Sequence, residues 1–175
     1  MNMNQLRNLK DLIDFSAETY GEKIAIRTKQ KKEIIDKSYI ALKADSEAFS
    51  RTLEKYALRG KHVALLGPTS YEWIVGYFGT VNSGGVVVPI DKELPAADIC
   101  DELHRADVEV LVYDSSYADI AAQVRRDCPQ VTSYFEMQRE AHGEDVWSLR
   151  RCLEENCGAF DEPIDREKLS VIMYT

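Results

Sequence analysis

The sequence predicts an α/β fold: a doubly wound, mostly parallel sheet with helices on both faces, preceded by an N-terminal helix and β-hairpin. Three observations predict it. Between residues 60 and 135, short β-prone runs alternate with stretches of helical period, which implies parallel strands joined by right-handed crossovers. Those runs are apolar at successive positions, as strands covered on both faces are. A further run of this kind, Leu169 to Thr175 (LSVIMYT), closes the chain with no turn or cap after it, which predicts that the polypeptide continues.

Each element follows from local pattern. Leu6, Leu9, Ile13, Ala17 and Tyr20 fall on one helical face, with Gly21 as a stop. Ile24 to Thr28 and Ile34 to Tyr39 flank a lysine-rich tip, Lys29 to Lys32, and read as an antiparallel hairpin with a solvated turn. Ala41, Ala44, Ala48, Phe49, Leu53 and Tyr56 form a stripe whose small members permit close packing, with Gly60 as its end. The regular region then begins.

Val63 to Leu66, Val86 to Ile90 and Val110 to Tyr113 are its predicted strands. Tyr71, Ile74, Phe78 and Val81 define one intervening helix; Ala96, Ile99, Leu103 and Ala106 define the next, with Pro95 suited to its first turn. Tyr117, Ile120, Ala121 and Val124 predict another helix, and Val131 to Phe135 another strand. Residues 136–145 read as a loop, Val146, Leu149 and Leu153 as a short helix, and Asp161 to Lys168 as a charged connector. The organisation expected is therefore residues 1–59 as helix, hairpin and helix, 60–135 as the regular βαβ region, and 136–175 as connector and final strand.

Composition narrows the function classes. With 175 residues, 45% of them hydrophobic, the chain can bury a core. A formal charge of −8, spread over predicted helices without a basic stripe, disfavours nucleic acid as a partner and suits a cytoplasmic protein. No stretch approaches the roughly 18 apolar residues of a membrane-spanning helix, and the polar start MNMNQLRNLKD lacks a signal-peptide core. Four cysteines without a CxxC pair and three dispersed histidines disfavour structural zinc and suit reduced thiols.

Few motifs carry chemistry. Neither GxxxxGK[ST] nor GxGxxG is present, and Ser83-Gly84-Gly85 precedes a strand, so it reads as a turn rather than a phosphate cradle. Gly67-Pro68-Thr69-Ser70 joins a strand to a helix and is the best local candidate for holding an anion, but Thr69 or Ser70 reads first as the cap of that helix. Asp91 reads as fixing the turn toward Pro95. Trp73, Tyr77 and Phe78 read as core packing, with an apolar ligand or a neighbouring domain as the alternative. No GxSxG elbow and no Ser, His and acid set is visible.

Val81 to Asp91, VNSGGVVVPID, closes a helix with Ser-Gly-Gly, runs a buried strand and stops at Pro89-Ile90-Asp91. This segment is similar to the early motif of adenylate-forming (AMP-binding) enzymes: acyl-CoA synthetases, luciferases and peptide-synthetase adenylation domains. VIMYT, Val171 to Thr175, resembles the lead-in to their phosphate loop, and KSYIAL, Lys37 to Leu42, a weaker motif nearer the start. The three stand in the family's order, and the resemblance spans essentially all 175 residues. YEWIVGYFGTVNSGG followed by VVVPIDKELP most resembles a bacterial long-chain fatty-acid-CoA ligase; peptide-synthetase domains more often carry a proline soon after the Asp91 position, where Lys92-Glu93 stand.

The resemblance implies the N-terminal part of the large domain of the acyl-CoA synthetase fold, reaching to just before the phosphate loop. It implies ATP and Mg²⁺ for the parent enzyme, CoA as co-substrate, and a fatty or other carboxylic acid as substrate. Thr175, at the start of the phosphate loop, is the one nucleotide-binding residue it assigns; it places no catalytic residue and no metal ligand in this segment, which is expected to be inactive alone. Two other readings stay open: an amino-acid adenylation domain of a peptide synthetase, and a non-catalytic α/β binding module. The oligomeric state is not legible.

Overall fold

The computed structural model describes residues 6–30, 33–165 and 167–174. Helix α1 spans Leu9–Tyr20; strands β1 (Ile24–Gln30) and β2 (Glu33–Ser38) form the antiparallel hairpin. Then follow α2 (Tyr39–Lys55), β3 (His62–Leu66), α3 (Tyr71–Asn82), β4 (Val86–Ile90), α4 (Ala96–Arg105) and β5 (Val110–Tyr113). A 3-10 turn at Ser115–Tyr117 leads into α5 (Ala118–Asp127), and β6 (Ser133–Glu136), β7 (Trp147–Ser148) and α6 (Leu149–Glu155) complete the order. The main sheet has the order β4-β3-β5-β6-β7, parallel throughout. The lysine-rich tip lies in part outside the described residues, at positions 31 and 32.

Successive side chains of a strand point to opposite faces, so one apolar run serves two cores. Val63, Leu65, Val87, Val110, Val112 and Phe135 meet α2, α3 and α6 on one face. On the other, Ala64, Leu66, Val88, Leu111, Tyr113 and Tyr134 meet α4 and α5. The predicted double winding is thus present. The helix and hairpin at the start do not lie flat on the sheet: α1 packs on α2 and α3, and Ala25 and Ile26 of β1 join the same core.

Several boundaries differ from the sequence reading for identifiable reasons. Leu6 precedes α1, because the Asn8 side chain accepts from Asp11 N–H at 2.7 Å and caps the helix there. Helix α2 ends at Lys55 rather than near Gly60. Ala57 takes a left-handed φ of 58°, while Leu58 N–H donates to Leu53 O and Ala57 N–H to Glu54 O. This is a Schellman end with alanine where glycine is usual, held by buried Leu53 and Leu58. Helix α4 ends the same way, with Asp107 at φ 49° and Val108 N–H donating to Leu103 O. Strand β6 starts at Ser133, because Val131 N–H is spent in a turn on Cys128 O.

Helices α1 and α2 are joined by charge as well as by apolar contact. Asp14 accepts from Lys10 at 2.8 Å and Lys43 at 2.6 Å. Burial pushes its carboxyl pKa up, but the two lysines outweigh this and hold it below the usual carboxylate value. A depressed folded-state pKa contributes stability above the unfolded value and loses it as pH falls through the folded one. Asp14→Asn is therefore expected to cost about 1 kcal/mol at pH 7 in urea unfolding, with the deficit beginning to shrink as pH falls below about 4 and gone only below the depressed folded-state value.

Candidate functional site

The parallel strands end together at one edge of the sheet, and four loops gather there. Strand β3 leaves through α3 on one face toward β4, whereas its neighbour β5 leaves through α5 on the other face toward β6. Adjacent strands whose exits diverge in this way open a crevice beyond their carboxyl ends. Gly67 and Asp114 close its floor. Gly67 has φ +141°, and a Cβ there would sit 2.6 Å from Asp114 Cβ, while Asp114 N–H donates to Leu66 O at 2.9 Å.

Side chains at this edge form a connected polar network. Gln138 donates from Nε2 to Asp114 Oδ2 at 2.9 Å and accepts on Oε1 from Ser115 N–H at 2.9 Å. Ser115 Oγ donates to Glu136 Oε1 at 2.8 Å, and Ser116 N–H to Asp114 Oδ1 at 2.9 Å. Ser70 Oγ accepts from Trp73 N–H at 3.1 Å, so this serine caps α3, as the sequence reading favoured. Thr69 stands exposed beside it.

The hairpin covers this edge and leaves a cavity of about 710 Å³ between Arg27, Thr28 and Lys29 on one side and the α3 start, Asp114 and Arg150 on the other. Arg150 bridges Glu72 and Glu140, at 3.3 Å each, and Glu72 is buried. An adjoining cavity of about 380 Å³ is closed by Lys37, Asp45 and Tyr71. Tyr71 donates its hydroxyl to Asp45 Oδ2 at 2.6 Å, and Lys37 lies 4.6 Å over the tyrosine ring. Burial, with the hydrogen bond to Asp45, keeps that phenol protonated far above its ordinary range. Matched charges and internal hydrogen bonds make this a polar, preformed crevice.

The end of the described chain reaches the same edge from the other side of the sheet. Val171 forms a parallel bridge with Val87 of β4: Val87 N–H donates to Ser170 O and Ile172 N–H to Val87 O, both at 2.9 Å. The segment expected to be a strand buried on both faces makes this single bridge, and Leu169 and Met173 are 57% and 70% exposed. The reason is Pro89. The next donor in the parallel ladder would be the amide of residue 89, and proline has none. Beyond the gap, Tyr174 reaches sideways and donates its hydroxyl to Glu102 O of α4 at 3.3 Å. Pro89→Ala is expected to lengthen the ladder, its new amide donating to Ile172 O and Tyr174 N–H donating to the residue 89 carbonyl, with hydrogen exchange at Tyr174 slowed by several-fold; unchanged exchange would refute this explanation.

The other sequence candidates are placed as follows. Thr175 lies outside the described residues. Asp91 accepts from Glu93 N–H at 2.9 Å, fixing the turn that leads to Pro95, where α4 begins. In the Ser83-Gly84-Gly85 turn, Gly84 has φ +74° and N–H groups of Gly84 and Gly85 donate to Val81 O and Thr80 O, which close α3. Trp73 and Tyr77 stack at 5.7 Å and pack with Phe78 against the core under α3. The Asp114, Ser115 and Gln138 network and the Glu72–Arg150 pair escaped the sequence reading, because their partners are 23 to 78 residues apart. Asp114-Ser115 directly after a strand was the available signal.

Comparison with known proteins decides the family. The family described as AMP-binding enzyme matches residues 13–175. The chain belongs to it. Among curated relatives, the chain is 26% identical over 131 residues to the dapdiamide synthesis protein DdaD of Enterobacter agglomerans, covering 69% of this chain and 21% of that protein. It is 26% identical over 122 residues to the crotonobetaine/carnitine–CoA ligase of Salmonella paratyphi A, covering 69% and 24% respectively. The chain thus matches about a fifth to a quarter of the length of these relatives. The anthranilate CoA ligase AuaEII, solved in complex with anthranoyl-AMP, superposes with a TM-score of 0.84 at 18% identity, covering all of this chain and 33% of that one. The AMP-binding family member described here therefore has the fold of the adenylate-forming N-terminal domain, as the residue motifs implied.

Proposed function

We propose that this chain is the N-terminal scaffold of the large domain in an ATP-dependent acid–CoA ligase, and that the acid is a fatty acid. The observation that carries the reading is the family match through residue 175 together with the course of residues 171–174, which run parallel to β4 toward the carboxyl edge of the sheet. On this reading Thr175 opens the phosphate loop. The fatty-acid assignment rests on the resemblance of YEWIVGYFGTVNSGG and VVVPIDKELP to bacterial long-chain ligases; the relatives named above act, by their names, on crotonobetaine, carnitine and anthranilate, which are also carboxylic acids.

The chemistry of such a ligase explains why a scaffold of this kind is needed. A carboxylate oxygen is a poor leaving group; adenylation by ATP makes it a good one, and the CoA thiol then displaces AMP. The developing negative charge has to be met by donors already in place. Within this chain, the β4 bridge and the Tyr174 contact fix the course of residues 171–174. The described residues present no group of three or more His, Cys, Asp or Glu able to hold a metal ion. A cytoplasmic location belongs to the same proposal; no helix among the described residues is long and apolar enough to cross a membrane.

The test is ATP–pyrophosphate exchange with Mg²⁺ and a panel of acids of different length and charge. The isolated 175-residue chain is expected to give none, and the longer polypeptide containing it to give exchange that is fastest with fatty acids. Exchange by the isolated chain would overturn the scaffold reading. Exchange by the longer protein with amino acids alone would overturn the acid assignment.

A further inference from the structure

The loop between β6 and β7 is tied back by a histidine. His142 Nδ1 accepts from Ser148 N–H at 3.1 Å, and its Nε2 lies 3.3 Å from Glu155 Oε2 of α6. A backbone amide can only donate, so Nδ1 holds the lone pair, and the hydrogen of the neutral ring stands on Nε2, directed at Glu155. The ring meets Trp147 edge to face at 5.3 Å, and Trp147 lies against Tyr56 of α2 at 4.2 Å. Ser148 is fully buried; its Oγ donates to Arg139 O at 2.5 Å and accepts from Arg151 N–H at 3.2 Å, which caps α6. One serine thus closes the loop and starts the helix, and its own amide rests on the imidazole.

We propose that His142 is a pH-operated latch: neutral, it holds Ser148 at the start of α6; protonated, it releases Ser148 and keeps Glu155 alone. An imidazolium carries hydrogen on both nitrogens. The proton added at Nδ1 faces the Ser148 N–H, two donors meet, and that bond is lost. The contact with Glu155 responds in the opposite sense: Nε2 donates in both states, and the added positive charge strengthens the bond. Protonation therefore exchanges one partner arrangement for another.

The other charged and titratable groups around the ring are engaged or neutral. In its own loop Arg139 donates to Ala141 O and pairs with Glu136, Glu140 pairs with Arg150, Asp145 pairs with Arg125, and Glu144 is exposed. On α6, Arg151 pairs with Glu154, and burial pushes the Cys152 thiol up to about 12, so it stays neutral. Behind Trp147, burial holds the Tyr56 phenol above its ordinary range, and Lys55 lies over the Tyr56 ring. Glu155 is the carboxylate that faces the imidazole.

The latch reaches the crevice through α6. Arg150, in the first turn of that helix, bridges Glu72 and Glu140 in the crevice wall. Release of the Ser148 amide frees the backbone at the N-cap, so the grip of Arg150 loosens as pH falls. This inference stands apart from the ligase reading, because neither the ring nor the amide depends on ATP or CoA.

The test is amide exchange at Ser148, divided by the intrinsic rate and followed by NMR from about pH 8 to about pH 5.5, with the His142 ring nitrogens observed in the same samples. The ring is expected to carry its hydrogen on Nε2 at the upper pH, and Ser148 protection to fall about tenfold as the ring titrates. His142→Asn sets a carbonyl oxygen near the Nδ1 position, where it accepts from Ser148 N–H without titrating; protection is then expected to hold at every pH. His142→Phe keeps an aromatic ring for Trp147 but no acceptor, so Ser148 is expected to lack protection throughout. Glu155→Gln is expected to keep the step and move it to lower pH, since the imidazolium loses its counter-charge. The inference is overturned if wild-type protection is unchanged while His142 titrates, if the neutral ring carries its hydrogen on Nδ1, if the step survives in His142→Asn, if His142→Phe keeps Ser148 protected, or if Glu155→Gln abolishes the step.

Discussion

Replacing Phe49 by alanine is expected to remove about 4 kcal/mol of folding stability, the largest loss foreseen for a truncation in this chain. Phe49 is fully buried on α2 and meets Phe135 of β6 edge to face, with ring centroids 5.5 Å apart. It therefore joins a helix to an inner strand of the sheet. The same ring lies against Gly79 of α3, so truncation opens a void bounded by two helices and a strand whose backbones are pinned by their own hydrogen bonds. Such a void cannot collapse, which puts the expected cost in the upper half of the range for phenylalanine. Urea unfolding followed by circular dichroism would measure it, and a loss below about 2 kcal/mol would mean that α2 can settle onto the sheet.

Gly79→Val is expected to be equally damaging from the opposite direction. A Cβ at position 79 would stand 2.8 Å from both Phe49 Cβ and Cδ1 and 2.8 Å from Ser46 O. One of those atoms belongs to a buried ring, one is the Cβ that carries it and one is backbone, so none can swing aside. The closeness of the helices is held in place by Ser50 Oγ, whose single proton lies between Gly79 O at 2.8 Å and Ser46 O at 3.0 Å. Overpacking of this kind costs about 3 kcal/mol or more, well above the roughly 1 kcal/mol that a helical glycine sacrifices. Coupling between the two sites gives a sharper test. In the Phe49→Ala background the ring is gone while the Cβ of residue 49 and the Ser46 carbonyl stay, so Gly79→Val should cost about 1 kcal/mol less there than in the wild type. Strict additivity would show that the two changes act on different spaces.

The pairing of Phe49 with Gly79 also shows the limit of reading this chain as a string. Of the small residues expected to pack α2 closely, Ala48 is buried but Ala41 is only half-buried and Ala44 is exposed, and the tightest approach is made by a glycine of α3 against a phenylalanine of α2. Periodicity says which face of a helix is buried; it does not say which residue of another helix it meets.

Sequence alone determined the order of elements from α1 to β6, the double winding and the family; strand β7, two residues long, reads in the sequence as part of the last helix. Parallel strands covered on both faces must be apolar at every position, and helices that cover them must repeat at 3.6, so both signals are written locally. Family motifs are contiguous for the same reason. Ser70 as a cap was equally legible, because a cap answers to amides three residues away. Tertiary structure decided what depends on distant partners. Helices α2 and α4 stop at Ala57 and Asp107, non-glycine residues in left-handed conformation, because buried Leu58 and Val108 hold the turn. The last apolar run stays a single bridge because Pro89, more than eighty residues earlier, withholds the next amide. The crevice at the sheet's edge draws its Arg27, Glu72, Asp114 and Arg150 from four separate elements and loops, and only folding sets such charges side by side.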